Sequence, residues 1–432
     1  MAQNSGIWEH SLEHAALSDI GLRRANNQDA MAIVLADSQE TWQQRGHLLM
    51  VADGMGAHAA GELASKVATD TVALTYSKLT ELSPPDALLK ATQEANQQIH
   101  GRGEADPEFR GMGTTCTVLL LLPQGALLSH VGDSRAYRLR GNRLDQLTFD
   151  HSLIWEMRAA GQGANDDIQD YIPRNIITRS LGPGPNVQVD LEGPFPIAPG
   201  DTFLLCSDGL SGPVEDQEIG LILGAMPPAE AVRALVDLAN LRGGPDNITV
   251  IVARVAGPPL SSAGGPRPQP LAPQRPLRSV HPLVWTLLGV FALAAAGAAA
   301  MEYWGAALIC LAASILAGIM ALAQRYGAPE ANADFDGRPR GKGPYRSSVC
   351  TANGDFVDGL SRIVEELRDA ATREDWTVDW PRFNDLLNQA AAAREAANHT
   401  QAIRQYFAAI SFMVAQLKLQ RGSGADDGSP TP

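Results

Sequence analysis

Four short acidic turns, each abutting an apolar run, restrict the folds open to this chain. They are VADGMG at 51–56, HVGDSRAY at 130–137, LLCSDGL at 204–210 and GGPDNITVIVARV at 243–255. Asp53, Asp133 and Asp208 each follow an apolar stretch, and Asp246 precedes one. A single Asp-Gly is an ordinary turn. Four carboxylates at strand ends, dispersed between residues 53 and 246, are oxygen ligands that a fold would gather. Gathered carboxylates repel one another, so they persist around hard cations such as Mg2+ or Mn2+.

The runs between these turns read as strands: HLLMVAD, TTCTVLLLL, ALLSHVG, AYRLR, TFLLCS and NITVIVARV. ALLSHVG and SRAYRLR, on either side of Gly132-Asp133, read as a hairpin. Helical periodicity appears from Gly61 to Lys78 and from Pro85 to His100. Strands in hairpinned runs favour antiparallel sheets over a doubly wound parallel fold. Residues 1–256 thus form one unit with mixed α/β content.

From 257 to 282 the chain turns to Pro, Gly, Ser and Arg, a stiff exposed linker. Two apolar stretches follow, Leu283–Met301 and Gly305–Ala323, each 19 residues and free of charge. That length suits a transmembrane hairpin across 283–323. Arg267, Arg275 and Arg278 precede it, and Arg325, Arg338, Arg340, Lys342 and Arg346 follow it, while the connecting Glu302-Tyr303-Trp304 carries no Lys or Arg. The positive-inside rule then puts both termini in the cytoplasm of an inner-membrane protein. The polar N-terminus predicts no signal peptide. Cys116, Cys206, Cys310 and Cys350 lack ligand spacing and read as reduced thiols.

After a loop over 324–355, amphipathic stripes mark a helical C-terminal domain over 356–421. Val357, Leu360, Ile363, Val364 and Leu367 form the first stripe; Phe383, Leu386 and Leu387 open a second helix; Ile403, Tyr406, Phe407, Ile410 and Met413 mark a third. This region is a candidate for binding a protein partner. The tail over 422–432 reads as disordered. A net charge of −14 argues against nucleic acid as a partner.

Arg24 and Asp29 in GLRRANNQDA, then VADGMGAHAAGELAS, GMGTT, HVGDSRAY, LTFDHSL, ITRSLGP, CSDGL and GPDNITV, occur in a telling order. In that order and spacing the chain closely resembles bacterial metal-dependent protein serine/threonine phosphatases of type 2C, over about residues 11–255. The resemblance implies a four-layer αββα sandwich, two antiparallel sheets flanked by helices, with the metal site at one edge. It implies two Mn2+ or Mg2+ ions, with Asp53 bridging them and the Gly54 carbonyl on the first. Asp208 and Asp246 match ligands of the second ion, and Asp133 with Asp208 a third, weaker site. Asp29 matches an acidic residue beside the metals and Arg24 the phosphate-binding arginine, while Asn247 adjoins Asp246 and is placed to orient it or a bound water.

The implied reaction is in-line attack of a metal-activated water on phosphoserine or phosphothreonine. By the same resemblance the partners are phosphorylated proteins: serine/threonine kinases or their substrates. Three positions depart from the pattern. Gln28 stands where Glu is common, Ala57 where Gly is usual, and Met55 where eukaryotic relatives carry a histidine. His58, His130 and His151 read as residues that stabilise turns. Residues 152–178, with Asp166, Asp167 and Asp170, read as an acidic flap beside the cleft. The alternative is a phosphoprotein-binding or scaffold module of the same fold without catalysis.

Overall fold

The computed structural model describes residues 11–57, 59–160, 176–257, 260, 282–326 and 340–425. His58, most of the acidic flap with Asp166, Asp167 and Asp170, most of the linker and the last seven residues lie outside them. Two compact units result: Met1–Pro266 with Gly337–Pro432, and Arg267–Asp336.

The first unit is built on two antiparallel six-stranded arrays. One sheet takes β1 (Leu12–Asp19), β11 (Ile248–Val255), β10 (Thr202–Cys206), β7 (Arg135–Arg140), β8 (Arg143–Gln146) and β12 (Arg346–Val349), in that spatial order. The other takes β2 (Asp29–Val34), β3 (His47–Met55), β5 (Cys116–Leu122), β6 (Gly125–Val131) and β9 (Asp190–Phe195), with β4 (Gly113–Thr114) attached to β3. Period-two alternation sorts the side chains between layers. On β10, Phe203 and Leu205 point between the sheets to meet Leu49, Val51, Leu119 and Leu128. Leu204 and Cys206 point outward into a second apolar cluster. Both faces are covered, so β3, β5 and β6 read as nearly unbroken apolar runs.

Helices α2 (Ala60–Lys78) and α3 (Pro84–Ala105) cover β2, β3 and β6; the short α1 (Gln39–Arg45) lies by β5. α7 (Pro228–Leu241) covers β1 and β11, with α6 (Asp216–Ala225) beside it; α4 (Leu153–Ala159) and α5 (Asp208–Ser211) are short. The expected sandwich of two antiparallel sheets flanked by helices is therefore present.

The hairpin read across Gly132-Asp133 is not. β6 pairs with β5 and β7 with β8, so the turn carries the chain from one sheet to the other. Turn chemistry is the same for a hairpin and for such a crossover; packing decides. Gly132 has φ +113°, and a Cβ there would lie 2.6 Å from the Thr115 side chain. The turn sinks between the sheets where only glycine fits.

The segment 324–355, read as a loop, supplies β12, a polar strand whose register on β8 runs from Arg346↔Gln146 to Val349↔Arg143. β8 offered an unpaired edge, and pairing overrode weak local propensity. Helices α10 (Gly354–Arg373), α11 (Trp380–Glu395) and α12 (His399–Ala425) follow, with Val357, Leu360, Val364, Phe383, Ile403, Phe407 and Met413 buried. They belong to the same unit as the sandwich and share one apolar cluster with Ile219, Ile222 and Leu235 of α6 and α7. Arg404 pairs with Glu230, Ser411 donates to Asp237 and Lys418 pairs with Asp19.

In the second unit, α8 (Pro282–Ala300) and α9 (Trp304–Tyr326) pack on each other. The expectation of two membrane spans finds no support here. Among the described residues, no helix is long and apolar enough to cross a membrane. Side chains at 282–285, 287, 288, 292 and 316–326 fall outside the description.

Candidate metal centre

Strand ends bring the acidic turns together. Asp29 opens β2 and lies directly opposite Asp53 near the end of β3. Asp208 follows β10, Asp246 precedes β11, and Asp133 lies in the crossover between β6 and β7. Burial, then the charges of Asp29, Asp208, Asp133 and Asp246, push the Asp53 carboxyl well above the usual carboxylate range. All five predicted carboxylates thus occupy one electrostatic neighbourhood. Burial likewise raises Asp29 to about 7 and Asp133 to about 8, and raises Asp208, with neighbouring aspartates adding to each shift.

Buried oxygens without a hydrogen-bond partner are rare and call for an explanation. Three belong to this one cluster: Asp29 Oδ1, Asp133 Oδ1 and Asp208 Oδ1. Buried carboxyls whose charges act on one another this strongly are tolerated only with protons or cations among them. Among the described residues, no trio of carboxylate, histidine or cysteine side chains closes around a single point. Carboxylate oxygens are the ligands that Mg2+ and Mn2+ take, one or two for each ion beside several waters. The orphaned oxygens make the donor set fit hard divalent cations.

Hydroxyl groups, which motif reading did not assign, set the carboxylates in place. Thr115 fixes Asp53: its Oγ1 accepts from Asp53 N at 2.8 Å and its N–H donates to Asp53 O at 2.8 Å. Ser134 Oγ lies 2.7 Å from Thr115 Oγ1 and ties the Asp133 turn to the same point. Ser207 Oγ donates to Asp29 Oδ2 at 2.7 Å and accepts from Thr249 N at 2.9 Å. Ser134 and Ser207 adjoin Asp133 and Asp208 in sequence, the one signal that could have pointed to them.

Gly54 is required by close approach: a Cβ would lie 2.0 Å from Gly61 O. This contact lets α2 begin against the end of β3. Gln28, where Glu is common, makes the same join through its main chain, accepting from Gly54 N at 3.1 Å and Ser65 Oγ at 2.6 Å.

Asn247 anchors the loop that carries Arg24. Its Nδ2 donates to Ile20 O and Asn26 O, each at 3.0 Å, and its Oδ1 accepts from Gln28 N at 2.8 Å. Its N–H reaches Asp246 Oδ1 at 2.9 Å, so it fixes both the loop and Asp246. Arg24 Nη2 lies 2.6 Å from Asp246 Oδ2 and is half exposed. It therefore stands at the rim of the cluster with part of its fork free.

His130 bonds Thr117 and the Phe149 carbonyl, and burial drives its pKa down to about 3, leaving it neutral. His151 accepts from Gly132 N at 2.9 Å and faces Asp190 at 2.9 Å. Both stabilise loops.

The protein phosphatase 2C family model matches residues 23–239. Protein phosphatase PhpP of Streptococcus pneumoniae is 36% identical over 244 residues, 55% of this chain and 96% of PhpP. Serine/threonine protein phosphatase PstP of Mycobacterium tuberculosis is 39% identical over 248 residues, 56% of this chain and 45% of PstP. The crystal structure of that organism's PstP/Ppp is 36% identical, covering 57% of this chain and 99% of that one, with a TM-score of 0.50. With the sandwich and the aspartate cluster in place, these matches show that the chain belongs to the protein phosphatase 2C family and is a protein phosphatase.

Proposed function

We propose that the chain hydrolyses phosphoserine and phosphothreonine in proteins with two Mn2+ or Mg2+ ions, acting on serine/threonine kinases or their substrates. The observation that carries this is the cluster of five aspartates with three orphaned buried oxygens at one edge of the sandwich. Asp53 would hold both ions, the Gly54 carbonyl the first, and Asp208 with Asp246 the second; Asp133 with Asp208 would hold a third. When bound, the ions supply a nucleophilic water at neutral pH and neutralise phosphoryl charge. Asp29, held by Ser207, shapes the charge beside them. Arg24 presents a planar fork that matches two phosphoryl oxygens, and Asn247 keeps its loop in register with Asp246. Catalysis is then positioning and charge neutralisation rather than covalent chemistry. Cys116 and Cys206 are buried thiols with pKa values raised to about 12, unsuited to act as nucleophiles.

The test is hydrolysis of a phosphothreonine peptide by the full chain with and without Mn2+, beside Arg24→Ala. Mn2+-dependent turnover is expected, with KM raised roughly tenfold in the variant by loss of a charge-assisted contact. Mn2+ binding seen by calorimetry without any turnover would end the enzymatic reading in favour of a phosphoprotein-binding module.

Attachment to the inner membrane, with both termini in the cytoplasm, rests on the sequence: two charge-free stretches of 19 residues flanked by arginines. Alkaline carbonate extraction of cell membranes should leave the chain in the pellet. Its release into the supernatant would exclude this attachment.

A further inference from the structure

Residues 340–350 lie outside the part of the chain matched to the family, yet they reach the surroundings of Asp133. Arg340 exchanges main-chain hydrogen bonds with Gly193 at 2.6 and 3.0 Å. The Glu192 carboxylate, buried on β9, accepts from Gly343 N at 3.0 Å and from the Tyr345 hydroxyl. At the next residue the chain enters β12 on β8. The strap therefore clips one sheet to the other.

Its inner side bears on Phe149 and α4. The Tyr345 ring meets the Phe149 ring edge-on at 5.4 Å. The Arg346 guanidinium lies 5.9 Å over Trp155 and 3.6 Å from Asp216. Asp216 also faces Arg135 at 3.8 Å and accepts from the Tyr137 hydroxyl at 2.9 Å.

The two residues after Phe149 grip the Asp133 turn from both sides. Asp150 takes Arg135 Nε at 2.8 Å. His151 holds both main-chain groups of Gly132, accepting from its N–H at Nδ1 and donating its own N–H to Gly132 O at 2.7 Å. A contiguous path thus runs from the strap through Phe149 to the carboxylate whose Oδ1 is buried without a partner.

We propose that Tyr345 and Arg346 are positioning residues for Asp133, so that the cation affinity of this phosphatase depends on its own C-terminal region. The inference rests on the phosphatase reading for the role of Asp133. Residues that orient a ligand from behind alter metal affinity about as strongly as many ligands do, by roughly 10–100-fold on mutation.

The test uses the full chain and three variants: Tyr345→Ala, Tyr345→Phe and Arg404→Ala. Arg404→Ala removes an exposed C-terminal contact with Glu230 on α7, away from the strap. Two quantities are read: the Mn2+ concentration for half-maximal hydrolysis of p-nitrophenyl phosphate, and hydrogen exchange of the Gly132 and His151 amides in chelated protein. Tyr345→Ala should raise the half-activating Mn2+ about tenfold, leave the substrate KM near its wild-type value and speed exchange at both amides. Tyr345→Phe keeps the ring on Phe149 and should recover most of both, while Arg404→Ala should match wild type.

If Tyr345→Ala does not fold, Arg346→Ala at its exposed position repeats the test with a smaller expected rise. Wild-type values for the strap variants, or equal shifts in Arg404→Ala, would overturn the proposal. A wild-type chain that hydrolyses nothing would instead remove the phosphatase reading, and exchange at Gly132 and His151 would still decide whether the strap positions the turn.

Discussion

Replacing Asp53 with Asn should abolish metal-dependent hydrolysis while raising the melting temperature of the chelated chain. The loss is expected to reach on the order of 10³-fold, because in its proposed role as the ligand shared by both ions Asp53 would carry several kcal/mol of transition-state charge stabilisation. The gain in stability has the opposite origin. Burial and four neighbouring carboxylates disfavour the Asp53 charge, and a neutral amide of the same shape removes that conflict. Relief of about 1–2 kcal/mol corresponds to a few degrees for a domain of this kind.

The pH dependence has a definite sign. Asp29 and Asp133 have an ordinary value of 3.8 and folded values of about 7 and about 8. The folded chelated chain therefore binds these protons more tightly than the unfolded chain. Their contribution is complete below about pH 4 and is lost as pH rises through the folded values. The melting temperature of chelated protein should fall from about pH 5 to pH 8. Saturating Mn2+ at about 100 times its Kd should restore roughly 2.7 kcal/mol and flatten that slope. Calorimetry of wild type and Asp53→Asn across this range, with EDTA and with Mn2+, reads both effects. A variant that melts lower than wild type when chelated, or that keeps its activity, contradicts the shared centre.

What could be read in advance divides along physical lines. Asp53, Asp133, Asp208 and Asp246 were legible because each sits where an apolar run meets turn residues, a local signature that survives any tertiary arrangement, whereas Asp29 came only from the resemblance. The crossover at Gly132 was not, since the same Gly-Asp pair serves a hairpin when the neighbouring strands share a sheet. Only the Thr115 side chain beneath Gly132, seventeen positions away in sequence, decides between them. Ser207 and Thr115 escaped for a related reason: a hydroxyl has no pattern until its acceptor is known. In the C-terminal region, Ile403, Tyr406, Phe407, Ile410 and Met413 announced a buried helical face, but a stripe does not name what buries it. β12 announced nothing, because Arg-Ser-Ser-Val has no apolar alternation and its pairing comes from the free edge of β8.

That hidden partnership sets the largest structural expectation. A chain ending at residue 336 should lose the cooperative fold of the sandwich or melt more than 10 °C lower, an estimate of about 2–4 °C per kcal/mol applied to several kcal/mol. PhpP, which matches this chain over 96% of its own length, spans little beyond the sandwich, so the family alone suggests the opposite. The outer face of this chain, however, has been cut to receive its own C-terminus. α6 offers Gly220 where a Cβ would lie 2.2 Å from Cys350 Sγ, and the Cys350 side chain fills that space.

Removing residues after 336 would strip Val357, Leu360, Ile403, Phe407, Ile410 and Met413 from the cluster shared with Ile219, Ile222 and Leu235. Each large apolar side chain buried is worth about 1.5–3 kcal/mol, against a total stability of about 5–15 kcal/mol for an ordinary domain. The half-exposed Arg404–Glu230 pair adds little. Scanning calorimetry and limited proteolysis of the two chains would compare them directly. Equal melting temperatures would mean that the C-terminal helices only rest on the sandwich; a large drop would mean that no independently stable catalytic domain can be cut from this protein at the boundary its relatives suggest.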